Sequence, residues 1–255
     1  MMQNKQGILD DIMTHDIVKW IEKKIQDLPK PVQYRAYSAI RALDWANRIF
    51  SIDLPIPAAF SALHGTEEAV AAFIKCAKLY NYGDDAKVNV KDHQQKATIS
   101  FLATMVINSL NEFKPGVALN KEQDFIALRI MDNAQIQYSP ATLYRFRFGD
   151  ANLGIVDEDF LNDVMEKYGD IQKIKDEIIN IQNARNKIFY SDDDGYPSGF
   201  SEPKNEIRNE CKKTLALLWT CIDIHENKET KIPLIEQALR TAQIVIESLK
   251  KKKCG

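Results

Sequence analysis

Apolar residues recur at helical spacing along most of the chain, and prolines mark the breaks. Ile17, Val18, Ile21 and Ile25 share one stripe of a helix from about Ile17 to Asp27, which Pro29 and Pro31 end. A second helix spans about Val32 to Phe50, with Tyr34, Tyr37, Ala39, Ile40, Leu43 and Ile49 at helical spacing; Pro55 and Pro57 mark the next break. A third, rich in alanine, runs from about Ala58 to Leu79 and gives way to the turn residues Asn81 to Asp85. A fourth runs from about Val90 to Phe113, where Pro115 and Gly116 stop it.

The pattern changes between Val117 and Gly154. Phe125 to Met131 is short, and Thr142 to Phe148 alternates, with Leu143, Arg145 and Arg147 on one face and Tyr144, Phe146 and Phe148 on the other. Period two predicts a small β element, punctuated by turns at Asp132-Asn133 and Ser139-Pro140. Arg145 and Arg147 on one strand face could touch phosphate or simply keep that face soluble. The helical period returns from Asp157, with Phe160, Val164 and Tyr168 on one stripe. Ile171, Ile174, Ile178, Ile181 and Ile188 follow along a helix that closes at Tyr190 and leads into a polar loop, Ser191 to Gly199. Helices at about Lys204 to Asn227 and Leu234 to Lys252 complete the chain. The expected fold is mainly α: one helical-bundle domain over residues 1–255, with a small β-like insertion at about 117–154.

Composition narrows the function classes. The chain has 255 residues, 45% of them hydrophobic, which suits a folded core and argues against wholesale disorder. A formal net charge of −2 gives no global basic field, so contact with a polyanion has to be local. No apolar run approaches the roughly 20 residues that cross a bilayer, and residues 1–16 lack a signal-peptide core. Cys76, Cys211, Cys221 and Cys254 form no C-x-x-C pair, which predicts reduced thiols in a cytoplasmic protein and no metal site. No cofactor is expected, because phosphate-loop, dinucleotide-binding and nucleophile-elbow patterns are all absent.

Two clusters carry candidate chemistry. The first is the helix end Ala184-Arg185-Asn186-Lys187-Ile188-Phe189-Tyr190, followed by Asp192, Asp193 and Asp194. A guanidinium there can hold a phosphate by two parallel bonds, and a phenol can exchange a proton. The same residues also make an ordinary helix C-terminus, with cations favourable to the dipole and an Asp/Gly turn. The second cluster pairs Thr66-Glu67-Glu68, set among alanines, with Asp92-His93-Gln94-Gln95-Lys96 at the start of the next helix. Carboxylates among small residues require a partner, and His93 near an acid and a lysine suits general acid–base work. A surface i,i+4 pair of Asp92 with Lys96 is the plainer account.

Taken together, Glu67-Glu68 in an alanine-rich helix, Asp92-His93-x-x-Lys96 opening the next, and Arg185-x-Lys187-x-x-Tyr190 followed by Asp192 or Asp193, Gly195, Pro197 and Ser198 resemble the AbiV abortive-infection family, within the HEPN superfamily of helical bundles. The resemblance covers roughly residues 30–115 and 160–225. It implies a phage-defence effector that acts on RNA, as a metal-independent endoribonuclease or by binding RNA to inhibit translation. Arg185, Tyr190 and His93 would be catalytic, and Lys187, Asn186 and Lys96 would contact RNA. Glu68, Asp92 and Asp193 would orient the basic groups. It also implies a homodimer with these motifs facing across the interface, and a phage or antitoxin protein as a further partner. Where the general HEPN nuclease pattern has a histidine a few residues after the arginine, this chain has Tyr190, a weaker base at neutral pH. That departure keeps open a non-catalytic alternative, a helical module that holds a nucleotide, RNA or a partner protein in the same cleft.

Overall fold

The structure is a computed structural model that describes residues 7–82, 88–112, 116–132, 135–149, 159–189 and 202–251. For residues 110–112, 130–132, 135–137, 145, 159, 184–189 and 251 it describes the backbone alone. Helices dominate, as the apolar period predicts: α1 (Asp10–Met13), α2 (Asp16–Ile25), α3 (Lys30–Ser51), α4 (Pro55–Leu79) and α5 (His93–Glu112). A small sheet follows, β1 (Gly116–Asn120), β2 (Phe125–Asp132) and β3 (Gln135–Pro140), and then α6 (Asp159–Tyr168), α7 (Ile171–Phe189), α8 (Pro203–Glu226) and α9 (Pro233–Lys251). Proline at the first or second position of α3, α4 and α8 fits its lack of a backbone donor, since the first N–H groups of a helix have no partner within it.

The centre of the bundle is α4, which carries a buried residue at most positions. Small side chains let its neighbours approach. A Cβ on Gly65 would sit 3.2 Å from the carbonyl oxygen of Ala39 on α3, with Ala42 and Leu43 just beyond. On its other side α4 meets α8, where the Thr66 hydroxyl bonds the Glu210 carbonyl and lies 3.1 Å from the Thr214 hydroxyl. One large core joins α2 to α9, including Ile25, Phe73, Met105, Phe160, Ile178, Leu218 and Leu239, and a smaller one gathers Leu9, Ala58, Ile207 and Cys211. Cys76, Cys211 and Cys221 are buried free thiols. Burial pushes the Cys211 thiol up to about 12. No helix among the described residues is long and apolar enough to cross a membrane.

The insertion is a three-stranded antiparallel meander, order β1-β2-β3, in which Leu128 faces Val117 on one side and Ser139 on the other. Its composition differs from the sequence expectation in two places. Ser139 and Pro140, expected as a turn, end the edge strand β3, where proline's missing donor costs no ladder bond. Thr142 to Phe148, expected as a strand, contains instead a 3-10 turn at Leu143–Arg145. Side chains have claimed the amides a ladder would need: the Thr142 hydroxyl accepts from Tyr144 N, and the Asp223 carboxylate of α8 accepts from Leu143 N at 2.7 Å. Arg145 and Arg147 therefore do not share a strand face. The sheet is fastened to α2 by the Trp20 indole, which donates to the Asp124 carbonyl, and by Lys23 and Lys24, which pair with the Asp124 carboxylate.

Candidate functional site

α5 begins where its cap dictates. Asp92 Oδ1 accepts from the amides of Gln94 and Gln95 at 2.9 and 3.2 Å, and the Gln95 side chain bonds back to Asp92 Oδ2. This arrangement fixes the first turn of α5 and aims His93 and Lys96, one turn apart, toward α4. Both meet one carboxylate. Glu67 Oε1 lies 3.3 Å from His93 Nδ1, and Glu67 Oε2 accepts from Lys96 Nζ at 3.0 Å. The Lys96 side chain is only 9% exposed, against 48% for His93, so the ammonium is held inside and the imidazole reaches solvent.

These groups line a cleft of about 110 Å³ whose floor includes Leu63, Val70, Ala97 and Ser100. Its third wall is α7, through Ile181 and Gln182. Arg185 is four positions beyond Ile181 on the same helix, so the backbone returns it to that face one turn further along. Asn186 and Lys187 are also in this last part of α7, and Tyr190 and Asp193 lie outside the described residues. The cleft shares Leu63 and Ile181 with a wider groove lined by Asn108, Asn180, Glu206, Asn209, Glu210 and Lys213. Lys213 pairs with Glu210 Oε1, while the buried Oε2 has no hydrogen-bond partner among the described residues. Burial, and then the neighbouring Glu210, hold the Glu206 carboxyl above its usual range.

Of the expected site residues, His93 and Lys96 come together, but with Glu67 as their acid. Glu68, one helical step round, turns to α3 and is bonded by Arg35 at 3.0 Å. Asp92, expected to pair with Lys96, caps the helix instead. The spacing that singles out Glu67 is present in the chain, since Leu63, Thr66, Glu67 and Val70 repeat at i, i+3, i+4 and i+7 along one face of α4. Gln182 has no comparable signal, because its role comes only from where α7 crosses. Chemically, a carboxylate that holds an imidazole in one orientation beside a buried ammonium can manage a proton next to an anionic substrate.

Against known proteins, the chain matches no family model, no curated protein and no solved structure.

Proposed function

We propose that the protein is a phage-defence effector of the HEPN type, similar to AbiV proteins, that acts on RNA in the cleft between α4, α5 and α7. The observation that carries the reading is the Glu67 carboxylate holding His93 and Lys96 together, with α7 supplying the facing wall one turn before Arg185. His93 takes the proton of the RNA 2′-OH as that oxygen attacks the adjacent phosphorus. Glu67 orients the imidazole and stabilises the imidazolium that forms. Arg185 and Lys96 offset the negative charge that develops on the phosphate oxygens, and Tyr190 returns a proton to the leaving 5′-oxygen. Lys187 and Asn186 hold flanking nucleotides, and the amides of Asn108, Asn180 and Asn209 in the adjoining groove offer donors and acceptors to bases. The imidazole on α5 offers a base that the Tyr190 phenol cannot match at neutral pH. The active form in this proposal is a homodimer.

The same pairings favour a second reading, in which RNA or a nucleotide is bound without being cut. One carboxylate engages both the imidazole and the ammonium of the cleft, which weakens the pull of the ammonium on phosphate. Growth toxicity separates a working site from an ornamental one. His93 is about half exposed, so His93→Ala should leave the fold intact while abolishing growth arrest on expression. Arg185→Ala with Tyr190→Phe is expected to do the same. Full toxicity in soluble, natively melting variants contradicts the assignment of this cleft.

A further inference from the structure

The groove that opens off the cleft has a composition that the His93 chemistry leaves unexplained. It encloses about 500 Å³, within the roughly 300–1,000 Å³ of small-molecule pockets, and Leu63, Ile107 and Ile181 give it an apolar wall. Three carboxylates line it, Glu177 of α7 and Glu206 and Glu210 of α8, against Lys212 and Lys213 among the described residues. Glu206 and Glu210 are one helical turn apart, close enough for their charges to repel. Lys213 is engaged by Glu210 Oε1. Glu210 is only 7% exposed, yet its Oε2 has no donor among the described residues. The half-buried Glu206 carboxyl makes neither a hydrogen bond nor an ion pair among them, and burial, then Glu210, raises its pKa. Neighbouring carboxylates with open acceptor positions suit a ligand that brings hydrogen-bond donors.

The acidic balance disfavours a phosphate, so the part of an RNA that enters the groove is a base. Among the four bases, guanine alone carries three adjacent donor hydrogens, one on N1 and two on N2. Adenine and cytosine offer one amino group beside an acceptor, and uracil one N–H between two carbonyls, so each turns an acceptor toward a carboxylate. We infer that this groove is a base subsite that selects guanine, with Glu206 accepting from N1–H and N2–H and Glu210 taking the second N2 hydrogen. Asn209, three residues after Glu206 on the same face of α8, donates its carboxamide to O6. The purine ring lies against the apolar wall, of which Leu63 and Ile181 also line the cleft, so the neighbouring phosphate falls on the cleft side. An unstacked base in a single strand presents this edge freely. This selection rests on the proposed RNA reading of the cleft.

Fluorescence anisotropy of dye-labelled 2′-fluoro RNA pentamers, which lack the attacking hydroxyl and stay intact, reads the selection without cleavage. A pentamer with one central guanosine among uridines should bind the full chain about tenfold or more tighter than those with central inosine, adenosine, cytidine or uridine. Inosine keeps N1–H and loses the 2-amino group, so it isolates the N2 bonds. Glu206→Gln should remove the selection, while the all-uridine pentamer binds as well as before or better. Asn209→Ala, at an exposed position that leaves the fold intact, should narrow the selection as well. Equal affinity for all the pentamers, selection that survives Glu206→Gln, or selection of another base overturns the inference and leaves the RNA reading of the cleft in place. Affinity for none of them overturns both. Agmatine, which carries donors on a positive charge, tests the rival occupant: if it binds through Glu206 while no pentamer is selected, the groove is a cation site and the inference falls.

Discussion

Glu67 and Glu68 are neighbours in sequence, and one helical step of 100° sends the first to His93 and Lys96 and the second to Arg35. The His93–Lys96 pairing was legible in the chain because both sit on one helix at i,i+3. The choice between the two glutamates was legible only as the face that Glu67 shares with Leu63, Thr66 and Val70, since spacing along α4 is silent on the angle at which α5 crosses it. Removing the charge of Glu67 strands a buried ammonium, so Glu67→Gln is expected to cost about 1–3 kcal/mol in urea denaturation as well as the cleft's function. Glu68→Gln releases a half-exposed Arg35 and should cost under about 1 kcal/mol. A different residue sets a pH dependence. His225 of α8 bonds the Tyr80 hydroxyl, and burial, followed by Lys228, pushes its pKa below the usual 6.5. The unfolded chain therefore binds a proton that the folded one resists, so this contribution is intact above about pH 6.5 and is lost as pH falls toward the folded value. His225→Gln should flatten that part of the stability profile relative to the wild type, and a slope unchanged by the substitution would argue against it.

At the level of elements, the long helices follow the apolar period closely, and departures occur where side chains capture backbone groups. α5 starts at His93 because Asp92 accepts from the amides of Gln94 and Gln95 while the Gln95 side chain bonds back to Asp92 and the Asn89 amide, a capping signal that marks the boundary more sharply than the apolar residues around Val90. Asp92→Ala should cost about 1 kcal/mol by thermal unfolding and loosen the turn that carries His93, lowering activity without removing it. The segment after β3 defeats period-two reading because Asp223, eighty residues away in sequence, takes the Leu143 amide. No local pattern announces such a partner. The α3–α4 contact is held close by Gly65, and Gly65→Val should destabilise the fold by about 1–3 kcal/mol, since its branches would press on the Ala39 carbonyl and Leu43. A near-neutral result would mean that these two helices have slack.

At the scale of the whole molecule, the mainly α architecture and the place of the small sheet could be read from the chain, because hydrophobic period reports burial directly. What escaped was the meeting of distant segments: α7 closing the cleft over α4 and α5, and the asparagine-lined groove beyond it. Tyr34 and Tyr37 have helical spacing yet face outward, since periodicity identifies a stripe without saying whether the partner lies within the same chain. In the proposed function the Glu67–His93–Lys96 cleft cuts RNA without a metal ion. The direct measurement is incubation of the purified protein with total RNA in excess chelator, alongside His93→Ala at equal concentration. Fragments with 2′,3′-cyclic phosphate ends are expected from the wild type and none from the variant. Intact RNA, cleavage that the chelator stops, or equal cleavage by both proteins would contradict it.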